Sequence, residues 1–176
     1  ANFIPTINSN PDLIRDCDLV FSQTHGTYYN LLSNQYLAGE WAYGFPFSEG
    51  LACVVNKENK RGYIDKNGKL IIDFLWCHEA QPFQNGKACI GSGDSWSIID
   101  NSGRDVFPHE DDADVYRSVN FIDKDIIDVS PYYGWDKFIN LKIYNHMIEQ
   151  YEAFGSYKDG YTPVRKNGLW GFCDEY

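Results

Sequence analysis

The sequence predicts an all-β protein of about five three-stranded antiparallel units, and three observations carry that expectation. "PFSEGLAC" at 46–53 returns as "PFQNGKAC" at 82–89, so Pro-Phe-x-x-Gly-x-Ala-Cys is spelled twice, 36 residues apart. Five dissimilar residue types in one order are poorly explained by chance and well explained by an internal repeat. Within one period, short alternating runs are separated by turn residues, as strands in a meander are. Composition agrees: aromatics make up 16% of the chain, beside 15 Gly and a single Met, which suits short strands and tight turns.

The clearest unit spans 47–82. "GLACVVN" alternates small and apolar residues, "KENK" turns, and "RGYIDK" is a second strand. Asn67-Gly68 is the strongest hairpin signal in the chain, because both positions of that turn favour left-handed backbone. "KLIID" is the third strand, and "FLWCHEAQ" leads into the next unit, 83–120. There Ile99-Asp100-x-x-Gly103 repeats Ile64-Asp65-x-x-Gly68. An Asp in that place can accept hydrogen bonds from the turn backbone, a structural role.

The remaining units are found by spacing. "YKDGYTPVRKNGLWGFCDEY" begins the last, 157–176, and a decayed unit, 121–156, fills the gap before it. An early unit, 11–46, aligns Gly26 with Gly62 and Cys17 with Cys53. The last unit stops after two strands, whereas "NFIPTI" within residues 1–8 reads as an orphan third strand. A propeller-like ring closed by the N-terminal strand is therefore expected, since closure removes exposed edges. An open superhelical array is the alternative. The repeat positions are Phe47, Gly50, Cys53, Gly62, Gly68, Phe83, Gly86, Cys89, Gly103, Gly160, Trp170 and Gly171.

"PFSEGLACVVNKENKRGYIDKNGKLII" and "YKDGYTPVRKNGLWGFCDE" resemble the bacterial WG repeat. Only Trp170-Gly171 keeps the signature pair; Arg61-Gly62 and His25-Gly26 keep the Gly, and Trp96-Ser97 the Trp. Glycine lets a neighbouring strand or ring approach the backbone, and tryptophan covers it. The resemblance implies an all-β binding scaffold without shared catalytic residues.

Composition narrows the function further. The formal net charge is −10, which repels nucleic acid and anionic lipid and attracts a basic protein face. No apolar run approaches the roughly 20 residues of a membrane helix. The five cysteines show no paired metal or redox spacing. Cys17, Cys53 and Cys89 recur at the repeat period and read as small buried residues of a reducing compartment. "ANFIPTINSN" shows no signal-peptide pattern, so a cytoplasmic protein is expected, with a periplasmic or surface location as the alternative.

Chemistry-bearing motifs are few. Histidines 25, 78, 109 and 146 are scattered, and "GSGDS" at 91–95 lacks the basic residue of a phosphate loop. No catalytic set, metal or cofactor is expected. The acidic run "HEDDAD" at 109–114 reads as a solvated loop, a patch for a basic partner, or a cation site without calcium-loop spacing. "SPYYGWDKF" at 130–138 reads as decayed core or as a binding surface. The candidate partner-binding residues are Glu110, Asp111, Asp112, Asp114, Tyr132, Tyr133 and Trp135. The function expected is a non-enzymatic inhibitor, monomeric on its own, such as an immunity protein blocking a basic bacterial toxin. A surface or periplasmic module binding a polymer or protein is the alternative.

Overall fold

The computed structural model of the chain describes residues 13–93, 95–107, 116–123, 125–131, 137–141 and 150–174. Residues 1–8, to which ring closure is assigned above, lie outside them.

All the named strands pair into small antiparallel sheets. The first holds β1 (Leu19–Ser22), β2 (Thr27–Asn30) and β3 (Gln35–Tyr36) in the order β1-β2-β3. A four-stranded sheet follows: β4 (Tyr43–Gly44), β5 (Leu51–Val55), β6 (Arg61–Asp65) and β7 (Leu70–Leu75), paired in chain order. The third is ordered β10-β9-β8, from β8 (Glu79–Ala80), β9 (Lys87–Ser92) and β10 (Ser95–Asp100). Next come β11 (Tyr116–Asp123), β12 (Ile126–Pro131) and β13 (Lys137–Asn140). The last sheet is β14 (Ala153–Phe154), β15 (Tyr161–Lys166) and β16 (Leu169–Asp174). The chain is thus all-β in sheets of three or four strands.

The repeated Phe-x-x-Gly spelling turns out to be one device. In Ser48-Glu49-Gly50-Leu51 the central residues have φ of 53° and 81°, and Ser48 bridges Leu51. Asn85-Gly86 and Asp159-Gly160 repeat it between bridged neighbours. Two successive left-handed residues make a type I′ turn, whose twist matches the strands it joins, and glycine takes the second position without steric cost. Phe47 and Phe83, each just ahead of such a turn, are buried.

Ile-Asp-x-x-Gly encodes a second device. Asp65 Oδ1 accepts the N–H groups of Asn67 and Lys69, both at 2.9 Å. Asp100 Oδ1 accepts those of Ser102 and Arg104 at 2.9 and 3.1 Å. Gly68 and Gly103 both take φ of 81°. The Ser102 hydroxyl, then the backbone and Arg104, hold the Asp100 carboxyl down at about 2.

The chain forms two compact units, 1–88 with 100–104, and 89–99 with 105–176. The core of the first gathers Leu19, Tyr28, Trp41, Phe47, Ala52, Val54 and Ile64. Tyr28 stands at its centre, edge-on to Phe21, Trp41 and Phe47, with its hydroxyl donating to the Phe45 carbonyl at 2.6 Å. The second core gathers Cys89, Trp96, Ile98, Phe107, Val119, Ile127, Val129, Ile139 and Val164.

The first sheet departs from the expected register. Cys17 does not match Cys53: it is exposed, in the 3-10 turn Asp16–Asp18 ahead of β1. Gly26 is a turn glycine with φ of 62°, not a strand glycine like Gly62. The cause is loop length. Only residues 23–26 join β1 to β2, whereas 56–60 join β5 to β6, so the shorter hairpin draws Gly26 into its turn and leaves Cys17 outside the strand.

Candidate binding site

The expected partner-binding residues Glu110, Asp111, Asp112, Asp114, Tyr132, Tyr133 and Trp135 all lie outside the described residues, as do His109 and His146. Among the described residues no group of three or more His, Cys, Asp or Glu side chains could hold a metal ion. His25 sits beside Ser22 Oγ at 3.0 Å and against the Tyr36 ring at 4.3 Å. Cys53, Cys77 and Cys89 are buried and free. Burial pushes the Cys53 and Cys89 thiols up to about 12, the reverse of what a nucleophilic thiol needs.

In the first unit, acidic side chains cap the glycine turns. Glu49 accepts the N–H groups of Asn85 and Gly86, at 2.6 and 2.7 Å, through its two carboxylate oxygens. Asp16 accepts the Gly50 N–H at 3.1 Å and pairs with Lys66 at 3.0 Å. Consecutive N–H groups at left-handed backbone form a concave anion seat, so carboxylates fit there. Arg15, Asp16, Glu49, Gly50, Asp65, Lys66 and Asn67 line a polar groove of about 650 Å³ beside these contacts. A second groove of about 730 Å³ is more apolar and includes Leu19, Val20, Phe21, Tyr43, Pro46 and Phe47.

Glycine packing works as the repeat chemistry requires at two strand positions. A Cβ on Gly62 would stand 2.9 Å from the Ile72 carbonyl oxygen in β7. One on Gly91 would stand 2.5 Å from the Trp96 indole, so ring and glycine backbone are in close contact.

Trp170-Gly171 behaves differently. Among the described residues nothing lies within 4 Å of a Cβ placed on Gly171, and no strand lies beyond β16 in its sheet. Leu169, Trp170 and Phe172 are 76%, 60% and 76% exposed. The repeat-equivalent positions show what is uncovered. Val54 pairs with Gly62 and Cys53 with Tyr63, as Val164 pairs with Gly171 and Pro163 with Phe172. Tyr63 is only 1% exposed, its ring against Phe83 and its hydroxyl donating to the Gln81 carbonyl. In the second sheet β7 covers the glycine and the segment after it covers the aromatic; on β16 both stand open. Sequence reasoning treated Trp170 and Gly171 as packing residues; among the described residues neither is packed.

Among solved structures, the chain is similar to the crystal structure of the computationally designed Ika4 protein, with 15% identity over 73% of this chain and 87% of that one, and a TM-score of 0.42. No curated protein is significantly similar to it. A family model for the WG containing repeat does match, over residues 62–96, which hold the close-packed Gly62 and Gly91, and over residues 147–170, which hold β15 and the start of β16; those segments are similar to WG-containing repeats.

Proposed function

We propose that this β-rich WG-repeat protein is a non-enzymatic module that binds a basic protein partner, acting in the cytoplasm as an inhibitor that covers its partner's working face. The observation that carries the reading is the pairing of a net charge of −10 with an exposed apolar row, Leu169, Trp170 and Phe172. Charge steers the encounter and apolar anchors hold the complex. In finer form, the five sheets are five successive copies of one unit, and the partner is a bacterial toxin against which the protein gives immunity. An acidic inhibitor can occupy the basic groove a nucleic-acid substrate would use, so neutralisation needs no bond made or broken.

Co-expression with the adjacent reading frame, followed by pull-down and growth rescue, tests this. The expected result is a stable complex, restored growth, and association that slows as salt rises. Absence of a protein partner, with binding to a glycan instead, overturns it.

A further inference from the structure

We propose that Arg61 anchors a binding site for a carboxylate carried beside an aromatic or apolar group. The inference goes beyond the protein-binding reading and does not depend on it.

Arg61 opens β6 on a row that crosses the four strands of its sheet. Val55 pairs with Tyr43 on one side and with Arg61 on the other, and Arg61 pairs with Leu75. Directly paired residues project to one face, so the guanidinium lies among apolar and aromatic groups. Its Cζ stands 5.5 Å from the centre of the Phe45 ring, which is edge-on to Tyr43 at 5.0 Å. Arg61 is half-buried, and its Nε–H is buried without an acceptor. Arg15 and Arg104 each hold a carboxylate, at 2.8 and 2.9 Å; among the described residues Arg61 holds none. Carboxylates are not scarce, since the chain has 25 acidic side chains against 15 basic ones. Cys53 shares the face with Val55, but burial pushes its thiol up to about 12, so it stays protonated and offers no counter-charge.

The next repeat places a different residue there. Aligning Ile64-Asp65 with Ile99-Asp100 sets Arg61 against Trp96, which is buried in the second core. Gly91 makes room for that indole; Val55, its counterpart 36 residues earlier, leaves room for a slimmer alkyl stem. A charge at so inward a place costs solvation, which the Phe45 ring offsets only in part. A carboxylate completes the arrangement, because the guanidinium fork matches it bidentately and the apolar wall of Phe45, Val55 and Leu75 strengthens the pair. Phosphate fits less well. Lys60, the neighbouring cation, is already paired with Glu58 at 2.7 Å, and a net charge of −10 repels a dianion. Tyr43, exposed at the end of the row, gives the apolar part of the ligand a ring to rest on.

The test uses the full chain and follows the Arg61 Nε–H resonance by NMR as N-acetylphenylalanine is added, with N-acetylphenylalanine amide as the uncharged control. The acid should shift that resonance saturably and the amide should not. Arg61→Met keeps the stem and removes the charge, so affinity for the acid, read by calorimetry, should fall by about tenfold or more. Its unfolding midpoint should equal or exceed that of wild type. Arg61→Lys keeps the charge but loses the fork, and should bind the acid less tightly than wild type and more tightly than Arg61→Met. A tripeptide ending in phenylalanine with a free carboxylate identifies the source: tighter binding than the single residue points to a chain end, weaker binding to a free acid. Equal shifts by acid and amide, or none by either, overturn the site. Arg61→Met with a lowered unfolding midpoint and unchanged affinity shows a packing role for Arg61 and overturns it as well. Acetate binding as tightly as the aromatic acid overturns the part given to Tyr43.

Discussion

Gly62→Ala is the most direct probe of how the repeat holds together. The new methyl group would stand 2.9 Å from the Ile72 carbonyl oxygen and 3.2 Å from both Leu70 Cδ1 and Phe74 Cδ1. The oxygen belongs to the β7 backbone, so relief requires the strand pair to part; no side chain can simply rotate away. Overpacking of this kind costs about 1–3 kcal/mol. Replacing a strand glycine also removes unfolded-state freedom, which returns about 0.5–1 kcal/mol. The net loss is up to about 2.5 kcal/mol, centred near 1, and for a chain of this length the melting temperature falls by up to about 10 °C. Calorimetry with urea unfolding measures it, and amide exchange should show the damage along 61–75. Gly171→Ala is the internal control: same residue, same strand position, no atom of the described residues within 4 Å. Gly62→Ala at wild-type stability, or an equal loss in both variants, would refute the claim that β7 depends on close approach at Gly62.

Two other perturbations test separate parts of the structure. Glu49→Gln keeps the shape of the turn cap but removes its charge from bonds of 2.6 and 2.7 Å. Because the side chain is exposed, the loss should be about 0.5–1 kcal/mol, with amide exchange accelerated at Asn85 and Gly86; unchanged exchange there would dismiss the cap. Cys53 and Cys89 should react with a thiol reagent only as fast as the protein unfolds, while exposed Cys17 reacts at once. Their folded values are raised from an ordinary 9.0 to about 12, so the protonated thiols favour folding. That contribution is complete below pH 9 and is lost as pH climbs from 9 toward 12. The double Cys→Ala variant should therefore show a shallower alkaline fall in unfolding midpoint than wild type, and an identical fall would contradict the assignment.

Local information determined much of this protein. Phe-x-x-Gly is legible because a type I′ turn forces left-handed backbone on two adjacent residues, and glycine is the residue that takes such backbone at no steric cost. Ile-Asp-x-x-Gly is legible because Asp65 and Asp100 bond amides only two and four residues ahead. The 36-residue period follows from these signals, and with it the all-β class. What the sequence left open depended on partners distant along the chain. The offset of Cys17 came from one hairpin being shorter than its counterpart, which a fixed period cannot register. The link from Glu49 to the next turn joins residues 36 apart, and nothing in glutamate itself announces it. Trp170-Gly171 shows the divide most clearly. Its letters match the repeat better than Arg61-Gly62 does, yet Gly62 is packed and Gly171 is open. Packing at Gly62 belongs to β7 alongside it, and which residues lie alongside a glycine is decided by the tertiary structure.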